Sequence, residues 1–322
     1  MLNKNTKILV ISRDSDKRLF QNSIYHVDFS LDYKPLSLTR RGIRRFWHLL
    51  DIPGFCRSFL NFSGKSLVSY DVVILCQCLY AEDVIQYIRK FNPNCRLIYW
   101  MWNSYKGGTV SPLYNDKKIF RRICLDEFKD RYNLEIWSFD HIDCANFNLK
   151  YNNTFCAKLH NIKPSQVKYD VGFWGLDKGR INIIKKLAIQ FNELGVTYCM
   201  KVIPDKRTSY KNEDKSFFAE GPMPYEKFVQ KELEAHCLLE IVQEGQADIT
   251  WRTLEAQFYG RKLITNCHNV KNYDFYNPQN IFILGEDSLD SLKNFISEPV
   301  KKIDENILRK YKLDGWLENF FI

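Results

Sequence analysis

Long hydrophobic segments are absent from this sequence. No window of the chain approaches the roughly 18 consecutive apolar residues that a membrane-spanning helix needs. The first apolar run, at residues 8–11, is shorter than the apolar core of a secretory signal peptide. We therefore expect a cytoplasmic protein that has neither a spanning helix nor a secretion signal.

Metal-binding and disulfide patterns are also lacking, although the chain has ten cysteines and six histidines. No C-x-x-C pair occurs, no group of cysteines and histidines has zinc spacing, and no two histidines lie at i and i+4. Walker A and protein-kinase patterns are missing as well. These absences predict no metal site and no disulfide framework, as expected in a reducing cytosol.

The composition indicates a globular protein with more than one core. A length of 322 residues makes two domains the first expectation. Hydrophobic residues make up 45% and aromatic residues 15%, which is enough to fill two cores. The net charge of +9 indicates attraction to anions. Nucleic acid, an anionic membrane surface, phosphorylated small molecules and a merely solvated surface all remain open.

Short apolar runs alternate along the chain with segments of helical spacing. The runs predict strands at residues 7–12, 70–76, 96–102, 134–139, 167–174, 196–202, 237–242, 262–265 and 281–284. Such alternation is typical of parallel strands covered by helices on both faces. A polar linker at residues 161–166 divides the chain into domains at 1–163 and 164–322. We expect an α/β protein of two Rossmann-like domains that face each other across a ligand cleft.

Residues 170–180, DVGFWGLDKGR, form the first candidate binding motif. A predicted strand ends in Gly172 and Gly175, and a helix is expected to begin near Arg180. Glycines permit close approach of a ligand, and the free N–H groups of a helix start attract anions. Lys178 and Arg180 can add charged hydrogen bonds to a diphosphate. Strand–glycine–helix turns without a ligand are equally common, so this motif alone leaves both interpretations open.

Residues 243–265, QEGQADITWRTLEAQFYGRKLIT, form the second candidate. A polar loop precedes a helix that begins near Thr250 and ends at Gly260. The loop lies at the carboxyl end of a predicted strand, where α/β proteins bind ligands. Glu255 could accept two ribose hydroxyls. The alternative is a surface ion pair of Arg252 with Glu255, and on spacing alone it is the simpler interpretation.

The sequence L-E-A followed by G-R-K-L-I-T resembles the second glutamate of the E-x7-E element in GT-B glycosyltransferases. Glu255 stands at the matching position, and the resemblance implies that it binds the ribose of a nucleotide sugar. The first glutamate of the element would fall at Ala247, between Gln246 and Asp248. The chain departs from the family there, so the role of that glutamate is not transferred.

More narrowly, the chain resembles bacterial glycosyltransferases of polysaccharide and lipopolysaccharide biosynthesis over about residues 95–316. The phrases that carry this resemblance are WSFD (137–140), YDVGFWG (169–175), TWRTLEA (250–256), KLITN (262–266) and YDFYNPQNIFIL (273–284). It implies a UDP- or GDP-linked sugar as donor substrate, no separate cofactor, a glycan or glycolipid acceptor and no nucleic acid partner. The implied donor-binding residues are Gly175, Lys178, Arg180, Gln246, Thr250, Arg252 and Glu255.

A metal-independent transfer needs a base for the acceptor hydroxyl, which the first domain would supply. No D-x-D lies between apolar residues, and this argues against the metal-dependent GT-A class. Asp14, Asn103 and Asp140 follow predicted strands of the first domain. Asp14 and Asp140 are the candidate catalytic carboxylates, with Asp14 preferred. Each of them also fits the N-cap of a helix.

Residues 39–50, TRRGIRRFWHLL, predict a basic amphipathic helix. Such a helix suits the anionic cytoplasmic face of an inner membrane, where a lipid-linked acceptor would lie. The alternative is a helix that packs its apolar face on the domain core. The residues expected to contact the membrane are Arg40, Arg41, Arg44, Arg45 and Trp47.

A second function class stays open. The missing glutamate at Ala247 fits a non-catalytic, basic two-domain module that binds nucleic acid or proteins. The basic residues are scattered, however, and no nucleic-acid motif is present. Assays of donor hydrolysis distinguish the module from the enzyme.

Overall fold

The computed structural model describes residues 2–34, 37–49, 59–76, 78, 81–104, 125–156, 162, 166–205, 208–221 and 223–322. The chain forms two compact units. Unit 1 contains Met1–Asn153 and Leu313–Ile322, and unit 2 contains Thr154–Lys312. The expected linker at residues 161–166 lies largely outside the described residues.

Unit 1 is built on a parallel sheet with the strand order β2-β1-β3-β4-β5-β6. Its strands are β1 (Lys7–Ser12), β2 (His26–Leu31), β3 (Val72–Cys76), β4 (Arg96–Met101), β5 (Leu134–Ser138) and β6 (Lys150–Tyr151). Its helices are α1 (Leu38–Leu49), α2 (Gly64–Leu67), α3 (Ala81–Phe91), α4 (Leu125–Tyr132) and α5 (His141–Phe147). The inner strands are buried on both faces, which is why they appear in the sequence as continuous apolar runs.

Unit 2 has its own parallel sheet, with the strand order β11-β10-β9-β7-β8. Its strands are β7 (Tyr169–Leu176), β8 (Tyr198–Ile203), β9 (Ala235–Glu240), β10 (Lys262–Thr265) and β11 (Ile281–Ile283). Its helices are α6 (Ile181–Glu193), α7 (Tyr225–Glu232), α8 (Trp251–Phe258), α9 (Leu292–Ser297) and α10 (Glu305–Arg309). The two parallel sheets with their helices confirm the expected pair of Rossmann-like α/β units.

Helix faces bury their apolar residues at the spacing that the sequence predicts. α3 buries Ala81, Val84, Ile85 and Ile88, which lie three or four residues apart on one side of the helix. α6 does the same in unit 2 with five buried apolar residues. Each unit therefore has a core of its own between its sheet and helices.

A last helix, α11 (Leu313–Asn319), belongs to unit 1, whereas the sequence assigned the whole of 164–322 to the second domain. Its fully buried Trp316 packs edge-on against Trp100, with ring centroids 5.4 Å apart. The Nδ2 atom of Asn152 donates to the carbonyl of Trp316 at 3.0 Å. Aromatic packing therefore places the end of the chain in the core of unit 1.

Two strands of unit 1 were not predicted. β2 (HVDFSL) alternates polar and apolar residues because it is an edge strand and is only partly buried. β6 is a two-residue edge strand, too short to give a pattern. By contrast, the predicted strands are found with shifts of at most two residues, as with 167–174 against Tyr169–Leu176.

Candidate functional site

The strand order of unit 2 has a switch point between β7 and β9. β7 and β9 are neighbours, and the chain continues from β7 to β8 on one side and from β9 to β10 and β11 on the other. Such a switch point opens a crevice outside the carboxyl ends of the two strands, where α/β proteins bind ligands. The residues that follow β7 and β9 therefore form the candidate site.

A tight turn at residues 177–180 follows β7. The amide of Arg180 donates to the carbonyl of Asp177 at 2.9 Å. Both central residues are left-handed, with φ of 48° at Lys178 and 84° at Gly179. Glycine adopts this conformation freely, but for a lysine it costs on the order of 1 kcal/mol. The fold thus holds a lysine in a strained conformation at the switch point.

Asp177 fixes this turn, and sequence reasoning gave it no role although it lies inside the first motif. Its side chain is fully buried. Its Oδ1 accepts from the amide of Ile181 at 2.7 Å, and its Oδ2 accepts from the hydroxyl of Tyr210 at 2.8 Å. The first amide of α6 is therefore satisfied by the protein itself, so this helix start offers an anion less than the motif suggested.

Two cations of the turn, Lys178 and Arg180, lie near the carboxyl end of β7. Arg180 connects the two strand ends, since its Nε donates to the carbonyl of Ile241 at 2.6 Å and its Nη1 to that of Leu176 at 3.1 Å. Burial, followed by the nearby charge of Arg252, lowers the pKa of Arg180 to about 10. Burial also lowers the pKa of Lys178, followed by the charge of Arg180. An anion bound here would raise both pKa values.

Glu240 organises the end of β9 and was missed in the sequence. Its side chain is buried, and its Oε1 accepts from the amide of Thr250 at 2.9 Å, the hydroxyl of Thr250 at 2.6 Å and the hydroxyl of Thr253 at 2.8 Å. Its Oε2 accepts from the hydroxyl of Thr265 at 2.6 Å. One carboxylate thus ties β9 to the start of α8 and the end of β10. An acidic residue at the end of an apolar strand was the available signal.

The start of α8 agrees with the prediction. Thr250 is its N-cap, and its hydroxyl accepts from the amide of Arg252 at 3.2 Å. The loop before it contains a turn in which the amide of Gln246 donates to the carbonyl of Gln243 at 3.0 Å and Gly245 is left-handed. The side chain of Gln246 donates to the carbonyl of Asp248 at 2.8 Å. Thr250 and Gln246 therefore lie in one ordered loop beside the switch point.

Arg252 and Glu255 do not form the exposed ion pair that spacing suggested. Glu255 is only 3% exposed, and its Oε1 accepts a short hydrogen bond from the hydroxyl of Tyr225. Arg252 turns inward, where its Nη2 donates to the carbonyl of Trp174 and pairs with the buried Glu232. The ribose and donor contacts proposed for these two residues stay predictions, since both side chains already have partners within unit 2.

Gly175 and Ala247, two further positions named in the sequence, have the following neighbours. A Cβ atom on Gly175 would lie 3.6 Å from the ring of Phe173 and 3.7 Å from Nη2 of Arg252, which is ordinary contact. Packing inside unit 2 therefore does not require this glycine. At Ala247, where the family pattern has glutamate, the carbonyl accepts from Sγ of Cys267 at 3.4 Å.

The two carboxylates predicted as catalytic in unit 1, Asp140 and Asp14, follow different strands. Asp140 is fully buried and is the N-cap of α5, since its Oδ1 accepts from the amides of Ile142 at 3.0 Å and Asp143 at 3.1 Å. This geometry is the alternative named for it, and a catalytic role for Asp140 stays a prediction. Asp14 lies two residues after the end of β1, which neighbours β2 and β3, but its side chain lies outside the described residues.

The predicted basic helix is present as α1. Its described apolar side chains are exposed, with Ile43 at 42% and Phe46 at 57%. Arg40 is exposed as well, whereas the side chains of Arg41, Arg44, Arg45 and Trp47 lie outside the described residues. The described part of this apolar face is thus not buried in the core of unit 1.

Two features are absent from the described part of the chain. No helix in it is both long and apolar enough to cross a membrane. No group of three or more histidine, cysteine or acidic residues in it is arranged to hold a metal ion.

Known proteins resemble this chain only distantly. No protein-family model and no curated protein matches the sequence. Among solved structures, TarM of S. aureus is 14% identical with a TM-score of 0.48, and the match covers 78% of this chain and 54% of that one. T4 phage BGT, solved with UDP and Mn2+, is 11% identical with a TM-score of 0.49, covering 98% of each chain. The glycotransferase of kitacinnamycin is 9% identical with a TM-score of 0.48, covering 98% and 97%. This chain spans about half the TarM chain, and its fold assignment rests on its own two sheets.

Proposed function

We propose that this chain is a glycosyltransferase whose unit 2 binds the diphosphate of a nucleotide-sugar donor at the switch point. The observation that carries the proposal is the turn at residues 177–180. It brings two partly buried cations, Lys178 and Arg180, to the carboxyl ends of β7 and β9. Clustered cations lower each other's pKa and favour an anion of two adjacent charges, which is the chemistry of a diphosphate.

The geometry suits a transfer in which the leaving group is stabilised by the protein. The acceptor hydroxyl attacks the anomeric carbon, the bond from that carbon to the diphosphate oxygen breaks, and a base takes the hydroxyl proton. Lys178 and Arg180 would neutralise the charge that grows on the departing diphosphate. No metal ion is required for this step, and Asp14 is the proposed base.

The rest of the donor would extend over the loop before α8. We propose that Gln246 and Gly175 line that side of the crevice and that Glu255 binds the ribose. Because Glu255 already accepts from Tyr225, ribose binding would have to share or replace that hydrogen bond. The substitution Tyr225→Phe should therefore alter donor affinity if Glu255 binds ribose.

The finer assignment concerns the acceptor. We propose a bacterial surface glycan or glycolipid, on the basis of the short sequence phrases that resemble polysaccharide-biosynthesis transferases. The exposed Ile43 and Phe46 on the basic helix α1 support contact with an anionic membrane face. Sedimentation with vesicles that contain anionic lipid tests that contact, and no binding to them would remove it.

The enzyme assay is a panel of UDP- and GDP-linked sugars, with release of the nucleoside diphosphate as the signal. We expect slow hydrolysis of at least one donor, strongly reduced by Lys178→Ala. Lys186→Ala is the matched control, because Lys186 is an exposed lysine on α6. Hydrolysis of no donor in the panel would favour the non-catalytic binding module instead.

A further inference from the structure

A buried charge cluster lies directly behind the proposed donor site. Arg252, in the first turn of α8, reaches back across the sheet, and its Nη1 donates to the carbonyl of Leu239 on β9 at 3.1 Å. Its Nη2 donates to the carbonyl of Trp174 on β7. One guanidinium thus joins the two strands whose ends form the switch point. Its side chain is only 12% exposed.

Aromatic rings hold the guanidinium in this position. Its Cζ atom lies 4.6 Å from the ring centroid of Phe173 on β7 and 5.8 Å from that of Phe228 on α7. Contacts of this kind favour a cation when it is removed from water. Arg252 is therefore fixed by contacts on β7, β9 and α7, and it has little freedom to turn toward a ligand.

Glu232, the last residue of α7, completes the cluster. Its side chain is 1% exposed, and its Oε1 accepts from Nη2 of Arg252. Removing the carboxyl group would be costly, because it would leave Nη2 of Arg252 without this buried acceptor. Glu232 is therefore the residue that sets the net charge around Arg252.

We propose that Glu232 is a positioning residue for the donor site, which by pairing with Arg252 holds the ends of β7 and β9 together and sets the positive charge that faces the diphosphate. The inference rests on the proposed function. It differs from the sequence prediction, in which Arg252 itself contacts the donor.

The charges around Glu232 determine how the pair responds to pH. Burial raises the pKa of Glu232, Arg252 opposes this shift, Glu255 on α8 raises the pKa as well, and the resulting pKa is about 8. From β7 Glu232 meets the backbone of Trp174, and from α7 the hydroxyl of Tyr225 is engaged by Glu255. We therefore expect Glu232 to become ionised as the pH rises through about 8.

Ionisation of Glu232 would change the positive charge at the donor site, because Arg252 interacts with Arg180. The charge of Arg252 is among the causes that lower the pKa of Arg180, so the two guanidinium groups interact. When Glu232 is neutral, the full charge of Arg252 adds to that of Arg180 in attracting a diphosphate. When Glu232 is ionised, it compensates Arg252. Donor affinity should therefore fall as the pH rises through 8, by about three- to tenfold for charges interacting across a partly screened site.

The test is the dissociation constant of UDP and of GDP, measured by calorimetry on the full chain between pH 7 and pH 9. The second ionisation of a phosphate group, with a pKa near 6, is nearly complete throughout this range. We expect the wild type to bind about three- to tenfold more weakly at pH 9 than at pH 7, beyond any change shared with Glu232→Gln. Glu232→Gln cannot ionise, and it keeps the Lys178 and Arg180 titrations, so it isolates the contribution of Glu232.

A second variant, Arg252→Lys, keeps the charge and loses the bridge between the strands. We expect it to bind more weakly at every pH and to retain the pH dependence, which a purely structural role for Glu232 would not produce. A wild type that binds with the same pH profile as Glu232→Gln overturns the inference alone. A wild type that binds neither nucleotide at any pH overturns the proposed function and the inference together.

Discussion

The hydrogen bonds of Glu240 predict how strongly one buried carboxylate stabilises the end of β9. In Glu240→Gln the remaining oxygen can still accept from Thr250 and Thr253. The new amide group, however, faces Thr265, whose hydroxyl already accepts from the amide of Cys267 at 2.9 Å. Two donors would then meet one hydroxyl, whose own buried proton would lose its acceptor.

The cost follows from one lost hydrogen bond to a charged acceptor and one buried donor left without a partner. Each of these costs roughly 1–3 kcal/mol. Release of a buried charge offsets part of this sum. We therefore expect Glu240→Gln to lower the free energy of unfolding by about 2 kcal/mol, a large fraction of the stability of an ordinary domain.

Urea unfolding followed by circular dichroism measures this loss. Thr265→Val removes the same hydrogen bond from the other side, so the double variant should be destabilised by about 1–2 kcal/mol less than the sum of the single variants. Glu305→Gln is the control, because Glu305 is exposed and its contact with Lys312 is weak. A Glu240→Gln protein as stable as the control, or strictly additive variants, would refute the reasoning.

Three other predictions concern strain, ionisation and the end of the chain. Lys178→Gly should leave stability within about 1 kcal/mol of the wild type, because relief of the left-handed backbone offsets the flexibility of glycine, while nucleotide affinity falls about tenfold for the lost charge. Calorimetry and urea unfolding measure the two effects. Because Glu232 has a pKa of about 8 in the fold, against an ordinary value of 4.5, its contribution to stability is present below pH 4.5 and is lost as the pH rises to about 8. Urea unfolding at several pH values should show this as a fall on the order of 2–4 kcal/mol that Glu232→Gln lacks. Trp316→Ala should cost about 3–5 kcal/mol, since this fully buried side chain packs in the core of unit 1. Thermal unfolding of that variant measures the loss.

A specific result would contradict each of these three predictions. Equal affinity of Lys178→Gly and the wild type would remove the lysine from the nucleotide site. Parallel pH profiles of stability for the wild type and Glu232→Gln would show that Glu232 does not titrate in this range. A Trp316→Ala loss below about 1 kcal/mol would contradict the packing of α11 in unit 1.

The fold was largely predictable because the inner strands are buried on both faces. Runs such as KILVIS at β1 and KLIT at β10 carry that burial directly in their composition. β2 was missed because an edge strand is half exposed and gives a mixed pattern. The return of α11 to unit 1 was missed because its partners, Trp100 and Asn152, lie far away along the chain.

The site was predictable where its residues form one local motif. Lys178, Arg180 and Thr250 could be singled out because each lies at a strand end or helix start, and their binding roles stay predictions. Glu240 and Glu232 were not, since their roles depend on partners brought together by the sheet. Glu232 meets Arg252 only because α7 and α8 both pack near β7 and β9.

Binding of nucleoside diphosphates to the turn after β7 tests the central claim most directly. Calorimetry with UDP and GDP should show binding of at least one of them to the wild type and to Lys186→Ala with affinities within about twofold. Lys178→Ala should bind about tenfold more weakly, as expected for one lost charged hydrogen bond. Absence of binding by the wild type, or equal affinities of the two lysine variants, would contradict the assignment of this switch point as a donor site.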